Sequence, residues 1–175
     1  VQVQRALLDM STTAQINDSL KLGKNLLGEI GKGHKIAFNI LNIGRIKLGV
    51  AAIGSSRKVL NHAINYSNER IQFGLPISKF GAIRYKLAEM ATRNFALESA
   101  SYRAGQNIDD AYDALVAEGM EPSQAKLKST EQFAVECAII KVWGSEVLDY
   151  IVDEGLQVYG GMGYSAEAPM ERAYR

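Results

Sequence analysis

The fold is decided by the stretch Phe133-Ala-Val-Glu-Cys-Ala-Ile-Ile-Lys-Val-Trp-Gly-Ser-Glu-Val-Leu-Asp-Tyr-Ile151. Many of its apolar residues recur at intervals of three or four, which is the periodicity of one face of an α-helix. Other apolar side chains fall on other faces, namely Val135, Ile139, Val142 and Leu148. Because a helix that is apolar on several faces is buried on several sides, we expect this helix to lie centrally in a bundle.

Two further long helices are predicted before it, near 34–70 and 79–106, and the central helix is expected near 124–155, with its apolar part from about Thr130 to Glu154. The apolar face of the first helix is formed by Ile36, Ile40, Ile43, Ile46, Val50, Ile53, Leu60 and Ile64. The face of the second is formed by Phe80, Ile83, Leu87, Met90, Ala91 and Phe95.

The three prolines mark the ends of these helices, because proline starts or stops helical structure. Residues 71–78, around Pro76, are expected to form a loop, and the polar residues 106–130, around Pro122, a surface excursion between helices. Pro169 begins a fourth helix. No alternation typical of strands is sustained, so the sequence predicts an all-α, antiparallel up-down helical bundle with crossing angles of about 20°.

Three glycines lie inside the first predicted helix, at Gly44, Gly49 and Gly54. Each costs roughly 1 kcal/mol relative to alanine in a helix interior. Their presence predicts close packing of another helix or of a ligand. The helix near 124–155 is also apolar on several faces. Together these features predict more apolar surface than a monomer of this size can bury, so we expect a homodimer or homotetramer.

Composition excludes several functional classes. A formal net charge of +1 and the lack of a Lys/Arg run argue against nucleic acid as a partner. One cysteine, Cys137, with only His34 and His62, argues against an internal disulfide or a Cys/His zinc site, and no metal is expected. No stretch approaches the roughly 18 apolar residues that span a bilayer, and no signal peptide is seen. In a bacterium this predicts a cytoplasmic location.

Two segments near the first helix could carry chemistry. Residues 25–35 contain three glycines but lack the Gly-Lys-Ser/Thr sequence of a phosphate-binding Walker loop, so a turn into the first helix is the favoured interpretation. In residues 39–45, Asn42 and Arg45 are three positions apart and share a helix face. That pair is either a solvated polar face or a ligand contact.

Two further segments follow predicted helix ends. Arg70 could cap helix carbonyls or bind a pyrophosphate with both guanidinium arms, while Gln72 could pair with a flavin or an amide and Phe73 could stack. In residues 157–167, three glycines allow the backbone to approach a flat ligand closely. Glu167 lies just before the fourth helix, where acidic residues are common because they complement the helix dipole.

Taken together and in this order, the segments 25–35, 39–45, 69–77 and 157–172 resemble the acyl-CoA dehydrogenase family, most of all its very-long-chain branch. The resemblance covers residues 22–175 and identifies them as the family's carboxy-terminal helical domain, truncated at its end; residues 1–21 stay unassigned. The amino-terminal helical and middle β-domains of such enzymes have no counterpart here. The Glu-Gly-Thr segment that closes over the flavin in the family would lie beyond Arg175.

The resemblance implies FAD as the cofactor and assigns roles to single residues. Glu167 matches the catalytic base, and its backbone N–H matches a donor to the thioester oxygen. Gly44 matches the position from which isovaleryl-type members supply their base, which a glycine cannot do. Contacts with the thioester and pantetheine part of the substrate fall to Asn42 and Arg45. Contacts with FAD, in part that of a neighbouring subunit, fall to Arg70, Gln72, Phe73, Phe80, Gly81, Gln157, Gly160 and Gly161.

The implied reaction is α,β-dehydrogenation of an acyl-CoA to the trans-2-enoyl-CoA, as in fatty acid β-oxidation. Glu167 would take the α-proton while a hydride leaves the β-carbon for the flavin. Electron-transfer flavoprotein would then be the partner that reoxidises the flavin. Two alternatives stay open: an acyl-CoA oxidase, in which oxygen does so, and a non-catalytic helical module that serves oligomerisation.

Overall fold

The computed structural model describes residue 31 and residues 33–174, apart from the side chains of Lys35 and Tyr174. Contacts divide the chain into two units, residues 1–38 and residues 39–175. The regular elements are α1 (Gly33–Glu69), β1 (Ile71–Gln72), β2 (Leu75–Pro76), a 3₁₀ turn (Ile77–Lys79), α2 (Gly81–Ala117), α3 (Pro122–Gln132), α4 (Ala134–Tyr159), a second 3₁₀ segment (Gly160–Tyr164) and α5 (Met170–Tyr174).

The long helices run up, down and up. Along α1 and α4 the contacting positions rise together, because Gly49 lies against Ile140 whereas Val59 lies against Gly155. Along α2 and α4 they run in opposite directions, since Lys86 pairs with Glu154 and Arg93 lies over the ring of Tyr150. The short helix α3 packs against α2. The all-α, up-down class that the sequence predicts is therefore confirmed.

The core lies where α1, α2 and α4 meet. Its fully buried side chains come from the middle of α2 and from the carboxy-terminal half of α4, and Met170 of α5 closes it. The largest of them are Met90, Leu97, Val147, Ile151, Val152 and Met170. Burial of this size supplies the main stabilisation of a helical bundle, because each large apolar side chain contributes about 1.5–3 kcal/mol when it leaves water.

Helices α1 and α4 touch through glycine. A Cβ added at Gly144 would lie 3.0 Å from the Cα of Gly49, and one added at Gly49 would collide with the side chain of Ile140 and lie 3.1 Å from its carbonyl oxygen. The expectation that an in-helix glycine marks close packing is thus confirmed for Gly49. It is wrong for Gly44 and Gly54 as regards helix packing, because no described atom lies within 4 Å of a Cβ placed there.

The buried face of α1 agrees only in part with the predicted apolar one, of which Ile53 and Leu60 are buried in the core. Ile40 and Val50 are 57% and 53% exposed, whereas the polar residues Asn39 and Asn42 are buried in the same part of the helix. The reason is the close approach to α4, which small and polar side chains permit and branched apolar ones obstruct. Ile40 and Val50 of the predicted face therefore lie outside the core of the described chain.

The second helix is longer than predicted. It continues through Gly105 to Ala117 and ends in a Schellman motif, in which the N–H of Gly119 donates to the Val116 carbonyl and that of Met120 to the Leu115 carbonyl. Gly119 has a φ of 91°, the left-handed conformation that this motif requires. The predicted surface excursion over 106–130 is wrong, because α2 and α3 fill most of it.

The predicted third helix is two helices. A turn at Phe133 separates α3 from α4. The expectation that α4 is buried on several sides is also wrong for the described residues, since Val135, Ile139 and Val142 are exposed, as is Phe95 on α2. These side chains, with those of α1, leave apolar surface outside the core of the described chain.

One helix has the length and composition of a membrane span, although none was expected from the sequence. Within the described residues, Ile36–Glu69 is long and apolar enough to cross a membrane, by length and composition only. The expectation that no stretch approaches such a length is wrong by this measure, because mean hydropathy tolerates the charges of Arg45 and Lys47 among many apolar neighbours. The core helix of a globular domain can have the same length and composition.

Between α1 and α2 the chain forms a two-stranded hairpin. Gln72 pairs with Leu75, so Phe73 and Gly74 are the two loop residues. Both have positive φ, 54° and 80°, as in the type I′ turn that suits the twist of a short hairpin. The turn projects Phe73 outward.

Candidate functional site

Helices α1 and α4 end side by side, and a pair of tyrosines joins their last turns. The rings of Tyr66 and Tyr159 are stacked, with centroids 4.0 Å apart and an interplanar angle of 13°. The Tyr66 hydroxyl donates to the carbonyl of Tyr159, and the Tyr159 hydroxyl donates to the carbonyl of His62, each at 3.4 Å. Hydrogen bonds of this length are weak. We call the two side chains the tyrosine clasp.

A groove of about 460 Å³ opens beside the tyrosine clasp. Apolar side chains, among them Ile77 and Val158, form part of its wall. Two separate segments supply its polar part, one following α1 and one following α4. We call it the Arg70 groove, and its defining residues are Tyr66, Arg70, Gln72, Tyr159, Gly160 and Gly161.

The Arg70 groove has the chemistry of a site for a phosphate-bearing, flat ligand. A guanidinium binds phosphate oxygens through two parallel N–H donors. At Gly160 and Gly161 no described atom lies within 4 Å of where a Cβ would be, so a ligand can approach the bare backbone. Gly160 has a φ of 58°, a conformation that favours glycine. These residues fit the pyrophosphate-bearing part of a dinucleotide such as FAD.

The other residues predicted to contact FAD lie beside the groove or apart from it. Gln157 is exposed on the last turn of α4, and its carbonyl accepts the N–H of Gly160. Phe73 is 92% exposed at the hairpin tip and meets Phe80 edge to face at 6.2 Å. Gly81 begins α2 and is exposed. The structure therefore groups four of the eight predicted residues, Arg70, Gln72, Gly160 and Gly161, in one groove.

Glu167 lies in the turn between the second 3₁₀ segment and α5. Its side chain is exposed, and its backbone N–H donates to the Ser165 Oγ at 3.3 Å. The turn is anchored by buried Ala168 and by Met170, whose Sδ is 3.1 Å from where a Cβ of Gly155 would lie. The N–H that the resemblance assigns to the thioester oxygen is thus engaged within the turn.

Asn42 and Arg45 form a pair of their own at the other end of the α1–α4 contact. Arg45 Nη1 donates to Asn42 Oδ1 at 2.6 Å, and Asn42 is only 5% exposed. The pair lies near Cys137. Burial raises the pKa of the Cys137 thiol, the charge of Glu136 raises it further, and the Arg45 cation partly offsets both.

The contacts that anchor α5 and those beside the Asn42–Arg45 pair lie at different levels of α4. Met170, three residues after Glu167, packs against Gly155, whereas Arg45 lies one turn before Gly49, which packs against Gly144. Gly144 and Gly155 are eleven residues apart on one helix, or roughly 16 Å at 1.5 Å per residue. The contact of α4 with Met170 and its contact with Gly49 are therefore well separated along the helix.

The tyrosine clasp was not predicted from the sequence, because tyrosines fill cores more often than they line ligand sites. A signal was nevertheless present. Tyr66 lies four residues before Arg70 and so shares its helix face, and Tyr159 directly precedes the glycine pair. Both positions adjoin segments that were singled out for other residues.

The bundle and the Arg70 groove define an all-α domain with a site suited to a phosphate-bearing ligand. A family profile described as "Acyl-CoA dehydrogenase, C-terminal domain" matches residues 31–175. The chain therefore belongs to the acyl-CoA dehydrogenase family, of which it contains the C-terminal domain.

Relatives and solved structures agree with this assignment. A probable acyl-CoA dehydrogenase of Bacillus subtilis is 48% identical over 166 residues, which are 94% of this chain and 28% of that protein. The crystal structure of an acyl-CoA dehydrogenase complexed with FAD from Bacillus anthracis superposes with a TM-score of 0.80 at 50% identity, over 86% of this chain and 26% of that one. The chain thus spans about a quarter of the length of these proteins.

The chain is only distantly similar to the very-long-chain branch, which the sequence motifs had suggested. The very long-chain specific enzyme of Macaca fascicularis mitochondria is 35% identical over 167 residues, covering 94% of this chain and 23% of that protein. The bacterial relative is clearly more similar.

Proposed function

We propose that the chain is the helical domain through which a flavin-dependent acyl-CoA dehydrogenase holds FAD, and that the Arg70 groove receives the phosphate-bearing part of that cofactor. One observation carries the proposal. Arg70 and Gln72 lie about 90 residues from Gly160 and Gly161 in sequence, yet the four line one groove. The Bacillus anthracis relative, which superposes well on this chain, was solved with FAD bound.

The reaction proposed for the whole protein removes one proton and one hydride from an acyl-CoA thioester. The α-proton passes to a carboxylate base, the β-hydride leaves with both electrons of its C–H bond, and the electrons of the α C–H bond form the new double bond. FAD, when bound, supplies the two-electron acceptor. Arg70 and Gln72 would bind and orient the cofactor, Arg70 through its guanidinium and Gln72 through its side-chain amide.

Glu167 stays our predicted base. Its side chain is exposed in the turn before α5, so its carboxylate is accessible to a ligand. Asn42 and Arg45 stay the predicted contacts with the thioester and pantetheine part of the substrate.

Removal of the Arg70 guanidinium tests the cofactor proposal. In the full-length protein, Arg70→Ala should weaken FAD binding about 10- to 100-fold, because a charge-assisted hydrogen bond contributes about 1.5–3 kcal/mol. The dissociation constant is measured by titrating apoprotein with FAD and following the quenching of flavin fluorescence. Arg103→Ala, at an exposed position on α2, is the matched control and should bind FAD as the wild type does. An unchanged affinity in Arg70→Ala would refute the groove.

Replacement of Glu167 tests the base. In the full-length protein, Glu167→Gln should slow anaerobic flavin bleaching by a saturated acyl-CoA about 10²- to 10⁴-fold, the usual loss of a general base, while FAD binding is retained. Glu171→Gln is the control, since Glu171 lies on α5 rather than in the turn. Bleaching near the wild-type rate in Glu167→Gln would remove Glu167 from the mechanism.

The remaining proposals concern partners. Electron-transfer flavoprotein is proposed as the oxidant of the reduced flavin, and rapid reoxidation by air alone would indicate an oxidase instead. A homodimer or homotetramer is proposed, because Ile40, Leu48 and Ile139 leave apolar surface exposed on the described chain. Light scattering of a clean monomer would contradict it, and a full-length protein that never binds FAD would favour the non-catalytic module.

A further inference from the structure

The tyrosine clasp joins the two segments that supply the polar part of the Arg70 groove. Tyr66 lies one helical turn before Arg70, and its carbonyl accepts the Arg70 N–H at 2.8 Å. Tyr159 directly precedes Gly160, where a φ of 58° turns the chain into the second 3₁₀ segment. A displacement of one ring relative to the other would therefore shift the guanidinium relative to the glycine turn.

The contacts of the clasp are reciprocal. Each hydroxyl reaches across the stack to a backbone carbonyl of the opposite helix, Tyr66 to α4 and Tyr159 to α1. Burial raises the pKa of the Tyr159 hydroxyl, and Tyr66 and Glu69 add to the effect, so this hydroxyl keeps its proton as a donor at neutral pH. Aromatic pairs prefer centroids about 4.5–7 Å apart, and the two tyrosine rings, at 4.0 Å, are already in close contact. The rings therefore set a lower limit to the spacing of the two segments, and the hydroxyl contacts oppose their separation.

We propose that Tyr66 and Tyr159 are positioning residues that set the distance between Arg70 and the Gly160–Gly161 turn, and with it the affinity of the Arg70 groove for a dinucleotide. The inference rests on the proposed function, since it requires FAD to bind in this groove. Neither tyrosine is assigned a role at the reacting atoms. If the clasp acts through Arg70, its loss should change FAD affinity little once the Arg70 guanidinium is absent.

The test measures FAD affinity of the full-length apoprotein by the same fluorescence titration. Tyr159→Leu, which removes the stack, should weaken FAD binding about 3- to 10-fold, in line with the contribution of an aromatic pair. In an Arg70→Ala background the same change should have an effect below about 2-fold, because coupled residues are not additive. The control is Tyr102→Leu, an exposed tyrosine on α2 outside the groove, which should leave FAD affinity unchanged.

Each outcome separates the inference from the proposed function. Unchanged affinity in Tyr159→Leu, with Arg70→Ala weakened, overturns the inference alone; unchanged affinity in both overturns the proposed function. A full effect of Tyr159→Leu in the Arg70→Ala background overturns the positioning role, because it shows a direct contact or general damage. If Tyr159→Leu does not fold, Tyr66→Leu, which also removes the stack, takes its place. That variant should bind FAD about 3- to 10-fold more weakly, and wild-type affinity would overturn the inference.

Discussion

The two ends of the α1–α4 contact differ in the size of the side chains between the helices. At one end Gly49 and Gly144 bring the backbones together, and at the other the stacked rings of Tyr66 and Tyr159 stand between them. Val59, Gly155 and Met170 lie in between. A single pair of parallel helices is thus closed at one end and opens a groove at the other, and the graded size of a few side chains determines which end can hold a ligand.

The largest effect is expected at the closed end. Gly49→Ala should lower the free energy of unfolding by about 1–3 kcal/mol, because the new methyl group overpacks against Ile140. Gly54→Ala, five residues further along the same helix and with open space around it, should be neutral or should raise that free energy by up to about 1 kcal/mol. Urea unfolding of the two variants measures the difference. Equal effects would show that the ends are not packed differently.

A smaller effect is expected midway. Gly155→Ala would place a methyl group 3.0 Å from Val59 Cγ1 and 3.1 Å from Met170 Sδ. The flexible methionine can move, so the free energy of unfolding should change by less than about 1 kcal/mol after the gain in helix propensity. The displaced methionine should loosen the Glu167 turn, where the Ala168 N–H donates to the Ser165 carbonyl. Amide hydrogen exchange at Ala168 should become faster, and an unchanged rate would mean that Met170 does not anchor the turn.

The smallest effect is expected at the open end and appears only at high pH. The folded-state pKa of Tyr159 is raised above the ordinary value of 10.0, first by burial and then by Tyr66 and Glu69. The folded state therefore keeps a proton that the unfolded state has lost, so this contribution to stability is complete below pH 10 and disappears as pH rises through the raised pKa. Tyr159→Phe should flatten the loss of stability above pH 10, measured by urea unfolding. Some loss should remain, because burial also raises the pKa of Tyr150. A slope as steep as that of the wild type would contradict this account.

The sequence predicted the helical class and the first helix well because those depend on periodicity and strong terminators. It could not choose between Gly105 and Gly119 as the end of α2, since both are glycines near polar residues. The choice depends on backbone conformation: Gly119 takes a φ of 91°, whereas Gly105 stays within the helix. Nor could it place Asn42 on the buried face of α1, because apolar periodicity gives no information about how closely a neighbouring helix approaches.

The site was predicted in parts rather than as an arrangement. Motifs identified Arg70, Gln72, Gly160 and Gly161, and the structure places these four in one groove. The motifs also assign Glu167 and Arg45 to the same substrate, an assignment that rests on the resemblance to the family. A motif states which residue types are present, whereas distance between motifs depends on helix direction and length.

At the hairpin tip, the residue type that would stabilise the turn differs from the aromatic residue that is present. Phe73 has a φ of 54° in a two-residue turn whose first position suits asparagine or glycine, and a bulky residue there stores strain of order 1–3 kcal/mol. The ring is 92% exposed, so the described chain recovers little of that energy through packing. Directed evolution for heat resistance alone would accordingly enrich asparagine or glycine at position 73, and it would discard the aromatic ring that the family resemblance assigns to the cofactor.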